Sequence, residues 1–381
     1  MYTQIGRNVA NRHDLRENSR REFFTHSTAL AVGGLSLMAG ILSAPGARAQ
    51  TSGHPAVQRI IIDTDPGVDD ALAIFLALRS PELKVEAITA VAGNVPLDLT
   101  LPNALRLVEI AGRAEVPVAA GTSRPLVRRL VTAHDFHGDN GLAGVEFPSP
   151  KIRPSAESAG DLIRRIVRSS PGEISIVAVG PLTNIAAVLR ADPGISPMIR
   201  RIILMGGSFS GGNVTPSAEF NMYVDPEAAQ LVFGAGVPLT MVGLDVTRKV
   251  LLGEEQILKL ESGRNNVSQA AARIMRRMLD RSRKTKQGTA IAMHDPLTVA
   301  HLIDPALLSF KDYFVAVETS GEMTAGETVG YSQPPVRKSA PLANKSTRRA
   351  EAPFRPNARV AVAVHPERFF RLFLERMAGL V

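Results

Sequence analysis

Within Ile60-Ile61-Ile62-Asp63-Thr64-Asp65-Pro66-Gly67-Val68-Asp69-Asp70-Ala71-Leu72-Ala73, an isoleucine triplet leads into four carboxylates that fall within eight positions. The triplet is β-branched and too short for a helix, so it predicts the core of a buried strand. Pro66-Gly67 signals a turn. Asp69 then occupies the place of a helix N-cap, ahead of the apolar run Ala71, Leu72, Ile74, Phe75 and Leu78. The acids therefore lie at the carboxyl end of a strand, where open α/β sheets bind ligands. Like charges this close repel, and a hard cation is the simplest counter-charge. With carboxylate donors, no Cys and no paired His, the segment points to Ca²⁺ or Mg²⁺ rather than zinc.

The rest of the chain alternates strand and helix signals. Strands are expected at Lys84–Val91, Val116–Ala119, Ile174–Val179, Ile202–Met205, Val237–Val242, Phe314–Glu318 and Arg359–Val364. Helices are expected at Ala104–Ala111, with Pro102 in an early turn, and at Asp161–Ser169, Thr183–Leu189, Pro226–Phe233 (capped by Asp225) and Pro366–Met377. The alternation predicts an α/β fold with a mostly parallel central sheet flanked by helices. Tyr331 to Arg355, rich in Pro, Ser, Lys and Arg, reads as a basic surface loop.

The first 49 residues read as an address. Ser19-Arg20-Arg21-Glu22-Phe23-Phe24 is a twin-arginine pattern, Ala29 to Leu42 is a short apolar segment, and Ala47-Arg48-Ala49 fits a cleavage site. This predicts export through the twin-arginine pathway to the periplasm, no stable membrane insertion after cleavage, and a mature domain over residues 50–381. The net charge of +8 is mild for 381 residues and calls for no nucleic-acid partner.

Further polar residues follow strand ends: Asn94, then Asn213, Glu219 and Asn221 in Gly212-Asn213-Val214-Thr215-Pro216-Ser217-Ala218-Glu219-Phe220-Asn221, and His294-Asp295-Pro296 at a helix start. In a parallel sheet such ends converge on one edge. Together with Asp65–Asp70 and with His134-Asp135-Phe136-His137-Gly138-Asp139-Asn140-Gly141, these motifs resemble, in order, those of the inosine–uridine-preferring nucleoside hydrolases. The resemblance covers nearly all of the chain beyond the leader. It implies the Rossmann-like fold of that family, hydrolysis of the N-glycosidic bond of ribonucleosides to ribose and base, and one Ca²⁺ held by Asp65, Asp70, Asp295 and the Val179 carbonyl. It implies Asp65 as general base for the attacking water and His294 as the donor to the leaving base. Asp69, Asn94, Asn213, Glu219 and Asn221 match the ribose clamp, Met205 the sugar's apolar face and His137 the base side. Family members are often dimers or tetramers, so a homo-oligomer is expected.

The chain departs from the family in places. It has no Trp, which argues against the purine-restricted branch that stacks the base on tryptophan. Arg276, Arg277, Arg281, Arg283, Lys284 and Lys286 make the segment before His294 unusually basic, leaving base preference open and admitting anionic substrates. Two other readings stand beside the hydrolase. One is a Mg²⁺-dependent phosphohydrolase built on Asp63-Thr64-Asp65; the other is a periplasmic nucleoside- or sugar-binding protein without turnover.

Overall fold

A computed structural model of the chain describes residues 57–285, 288–333 and 355–379. The leader and most of the 331–355 segment lie outside the described residues. The strands are β1 (Gln58–Thr64), β2 (Leu83–Ala90), β3 (Val118–Ala120), β4 (Ile174–Ala178), β5 (Arg201–Met205), β6 (Leu239–Val242), β7 (Leu251–Leu252), β8 (Ile291–Ala292), β9 (Leu308–Val317), β10 (Thr328–Tyr331) and β11 (Ala358–Val364). The helices are α1 (Val68–Leu78), α2 (Leu97–Ile110), α3 (His134–His137), α4 (Ala159–Ser169), α5 (Thr183–Ala191), α6 (Phe220–Val224), α7 (Pro226–Gly234), α8 (Leu244–Thr247), α9 (Glu254–Ser262), α10 (Asn266–Lys284), α11 (His294–Ile303) and α12 (Pro366–Ala378).

Nine strands form one sheet in the order β10-β9-β11-β6-β5-β4-β1-β2-β3. From β11 to β3 every pairing is parallel; β9 and β10 add an antiparallel edge. β7 and β8 form a separate two-stranded ribbon. The chain moves outward from β1 through β2 to β3 and then restarts on β1's other side at β4. Strand order thus reverses between β1 and β4, and at that switch point the loops diverge to leave a crevice.

The isoleucines of β1 explain its central place. Ile60, Ile61 and Ile62 are all fully buried, Ile60 and Ile62 against one layer and Ile61 against the other. A strand covered on both faces needs such an unbroken apolar run. The first layer contains α1, α2, α10, α11 and α12; the second contains α4, α5 and α7. All eleven residues of α1 are buried, so it is apolar all round except at its acids.

Several boundaries differ from the sequence expectation. Asp69 is not the cap of α1: Gly67 is, and Asp70 reaches back to the Gly67 N–H at 3.0 Å. Asp70 thus takes the capping load, and Asp69 lies inside the first turn. Helix α2 begins at Leu97, so Pro102 falls in its second turn, where the helix gives up one backbone hydrogen bond. The third strand runs Val118–Ala120, and β9 starts six residues before the expected Phe314. Helix α10 was not anticipated. Val267, Ala270, Ala271, Ile274, Met275, Met278 and Leu279 form its buried stripe, while the arginines that obscure it in sequence lie outward.

Phe75 sits in the middle of α1 with no exposed surface. Phe75→Ala is expected to lower unfolding free energy by about 3–5 kcal/mol in urea titrations, because a rigid core cannot collapse around the lost ring.

Candidate functional site

The strand ends around the switch point enclose a cavity of about 440 Å³. Ten of the sequence-predicted residues line it: Asp69, Asn94, His137, Val179, Met205, Asn213, Glu219, Asn221, His294 and Asp295. Asp65 and Asp70 lie behind that wall, fully buried. The cavity also borders Phe136, Val214 and Phe220, which supply apolar surface.

Asp65 follows β1 directly. Its Oδ2 accepts the Asn94 N–H at 2.6 Å, while its Oδ1 is buried without a hydrogen-bond partner. Two glycines make room for it. A Cβ at Gly93 would stand 2.0 Å from Asp65 Oδ2, and one at Gly180 would stand 2.7 Å from Oδ1. The loops after β2 and β4 therefore close on this carboxylate only because they lack side chains there.

Asp70 is held from several directions. Its Oδ1 accepts the Thr64 hydroxyl at 2.6 Å and the Asp65 N–H at 3.3 Å; its Oδ2 accepts the Gly67 N–H and the Asn94 amide, at 3.0 and 2.9 Å. Asp69, Asp70 and Asp295 each present an oxygen within 4.8 Å of the others, close enough to hold one metal ion. Asp65 stands outside that triplet but interacts electrostatically with Asp70 and Asp295. The Val179 carbonyl, at the end of β4, accepts the Asn221 amide at 2.9 Å, which leaves its second lone pair for another partner.

Among the described residues no Lys or Arg forms an ion pair with these acids. Burial, followed by repulsion from neighbouring aspartates, pushes Asp65 and Asp295 well above the usual carboxylate range. The same two causes push Asp69 to about 7. Burial also raises Glu219 to about 7, against the pull of backbone N–H donors that include Gly207, Asn221 and Met222. An oxygen-only, uncompensated cluster with an unpartnered buried oxygen fits a hard divalent cation.

The remaining predicted residues ring the mouth. Asn221 also bonds the Met205 carbonyl at 3.2 Å. Exposed Asn213 ties its Oδ1 to the Phe220 N–H at 2.9 Å. The Val68 N–H donates to His137 Nδ1 at 3.1 Å, so the neutral ring carries its proton on Nε2. Burial first, then the nearby His294 and Arg281, hold its pKa down to about 3. His294 Nδ1 lies 2.7 Å from the Thr247 hydroxyl, and burial with the Arg248 charge lowers its pKa to about 4. Both rings are neutral at pH 7.

Sequence reasoning missed the parts played by Thr64, Thr247 and Arg248, whereas Arg281 belongs to the basic segment it singled out. Arg248 donates to the Gly211 and Gly212 carbonyls, and Arg281 to that of Asp135, so each braces a loop of the rim. Of the basic run in α10, Arg276 and Arg283 are instead paired with glutamates away from the site. Asp63 lies elsewhere: Thr89 and Asn184 bond it beneath the sheet edge, outside the cavity lining. Both of those bonds engage Asp63 Oδ1, so this oxygen is tied to β2 and α5 rather than offered to the cavity.

A family profile described as inosine-uridine preferring nucleoside hydrolase matches residues 60–371. The pyrimidine-specific ribonucleoside hydrolase RihA of Citrobacter koseri is 42% identical over 320 residues, covering 84% of this chain and 97% of its own. Among solved structures, the plant nucleoside hydrolase PpNRh1 superposes with a TM-score of 0.77 at 35% identity, over 85% of this chain and all of its own. The purine-preferring ribonucleoside hydrolase from Gardnerella vaginalis gives 0.75 at 33% identity, over 84% and 98%.

The acids and the histidines set opposite pH trends. With raised folded-state pKa values, the carboxyls keep protons that the unfolded chain sheds, so the metal-free fold loses stability as pH rises toward and through about 7. The histidines, with lowered values, cost stability only as pH falls below about 6.5. Above that only the acids count. Calcium is therefore expected to raise the melting temperature more at about pH 8 than at about pH 6; an increment independent of pH contradicts the reading. Gly93→Ala, which drives a methyl into Asp65, is expected to cut turnover by about 100-fold or more and to cost about 1–3 kcal/mol of stability through overpacking, read from urea titrations.

Proposed function

We propose that this chain, which belongs to the inosine–uridine preferring nucleoside hydrolase family and is a nucleoside N-ribohydrolase, acts on pyrimidine ribonucleosides with calcium in the carboxylate cluster and Asp65 as its base. The observation that carries the metal and base assignment is Asp65 Oδ1, buried and unpartnered beside Asp70 and Asp295. The pyrimidine preference is supported by the 42% identity to pyrimidine-specific relatives, against 33% to a purine-preferring one. It is supported too by the absence of tryptophan.

Asp65, Asp70, Asp295 and the Val179 carbonyl would hold the ion, with Asp69 within reach of it. When bound, it neutralises the crowded acids and supplies the Lewis acidity that makes water a nucleophile at neutral pH. Asp65 takes the water's proton as the oxygen attacks C1′ and the bond from C1′ to the base nitrogen breaks. Asp69, Asn94, Asn213, Glu219 and Asn221 grip the ribose hydroxyls with both donors and acceptors. As the sugar becomes oxocarbenium-like, negative charge on Asp69 and Glu219 stabilises it more than the neutral ground state. Met205 packs on the sugar.

Leaving-group help falls to the histidines. In the tautomer in which the Thr247 hydroxyl donates to Nδ1, neutral His294 carries its N–H on Nε2 and hydrogen-bonds the base as negative charge builds there, and the departing base takes its proton from solvent. His137, its tautomer set by the Val68 N–H, presents a donor to the base. Twin-arginine export to the periplasm and homo-oligomeric assembly belong to the same proposal, on the motifs of residues 19–49 and the family's habit. Among the described residues no helix is long and apolar enough to cross a membrane.

Asp65→Asn is expected to bind uridine with near-normal affinity while losing about 10³-fold or more in turnover, read by released reducing sugar. Near-normal turnover removes Asp65 as the base. For the unmodified enzyme, kcat/KM for uridine and cytidine should exceed that for inosine; the reverse order overturns the pyrimidine assignment and leaves the nucleoside hydrolase intact.

A further inference from the structure

A second cavity, of about 410 Å³, lies at the opposite end of the sheet. Strand periodicity builds it. Gln58 of β1, Arg201 of β5 and Arg359 of β11 stand at the amino ends of parallel strands, two residues before Ile60, Ile203 and Ala361. Those three apolar residues belong to one core cluster, so the three polar ones share the same face of the sheet. Helix α11, which begins at His294 and Asp295, ends above them and adds His301 from its last turn.

The charges gathered there are uncompensated. Arg201 donates to Gln58 Oε1 at 2.6 Å, but its Nε is buried with no partner. The Arg359 guanidinium lies 4.8 Å over the Phe310 ring. Among the described residues neither arginine forms an ion pair, although Asp312 stands opposite Arg359 on β9. Asp304, at the end of α11, is engaged by Arg368. His301 is only 7% exposed, and its Nδ1 has no hydrogen-bond partner. The arginines are close enough that, after burial, they hold its pKa down to about 4.

Two guanidiniums without a carboxylate partner, beside a neutral imidazole and lining one cavity, fit an anionic ligand. We propose that this cavity is a binding site for a small oxyanion, the phosphate or carboxylate group of a metabolite, separate from the nucleoside site. Arg201 and Arg359 supply the charge, and the His301 ring and Gln58 amide complete the polar wall. Aliphatic or aromatic contact comes from Leu302 and Phe310, so a ligand larger than the bare anion is accommodated.

The test uses the full-length purified enzyme in chloride buffer at constant ionic strength. Inorganic phosphate and, separately, succinate are titrated by calorimetry into the enzyme and into Arg201→Gln, Arg359→Gln and His301→Phe. Saturable binding at one site per chain is expected, weakened about tenfold or more by either arginine substitution. Uridine turnover without added anion should be unchanged in all three variants, which shows that they fold. Binding of phosphate alone, of succinate alone or of both identifies the group that the site takes. No saturable binding of either, or binding that the three variants leave unchanged, overturns the proposal.

Discussion

The mutual repulsion of buried carboxylates at the end of β1 governs the rest of this molecule. Asp65, Asp69, Asp70 and Asp295 meet in a space from which arginine and lysine are absent among the described residues. Unpaired buried charge is among the costliest things a fold can contain. The structure spreads that cost over backbone N–H groups, the Thr64 hydroxyl and the Asn94 amide, yet leaves Asp65 Oδ1 unmatched. Asp69, Asp70 and Asp295 stand close enough to hold one cation, which would offset that charge.

The sheet's connectivity decides where this can happen. Because strand order reverses between β1 and β4, the loops after Thr64 and Ala178 part and leave a crevice. Gly93 and Gly180 set bare backbone against Asp65, so the loops after β2 and β4 close on it from two sides. Helix α11 then delivers Asp295 from a segment more than 200 residues away in sequence. Ribose and ion can share one pocket because distant loops reach the same edge.

Much of this was legible in the residues. The Ile60–Ile62 triplet reads as a doubly covered strand, and the Pro-Gly turn with its acids reads as a ligand-bearing strand end. The resemblance carried the rest of the constellation, and the structure gathers those residues around one cavity. What stayed hidden depends on long-range contact. Asp69 looked like a cap, but capping is decided by backbone geometry, which gave the task to Gly67 and Asp70. Helix α10 was masked because six cations in its sequence overshadow a stripe at helical spacing. Thr247, which faces His294 at 2.7 Å, comes from α8, and no local pattern pairs them.

Calcium titration calorimetry on chelator-treated enzyme, paired with uridine turnover at each point, addresses the central claim most directly. The account predicts one ion bound per chain, with turnover absent before addition and rising in proportion to occupancy. Full turnover by protein that elemental analysis shows to be free of divalent metal would contradict it.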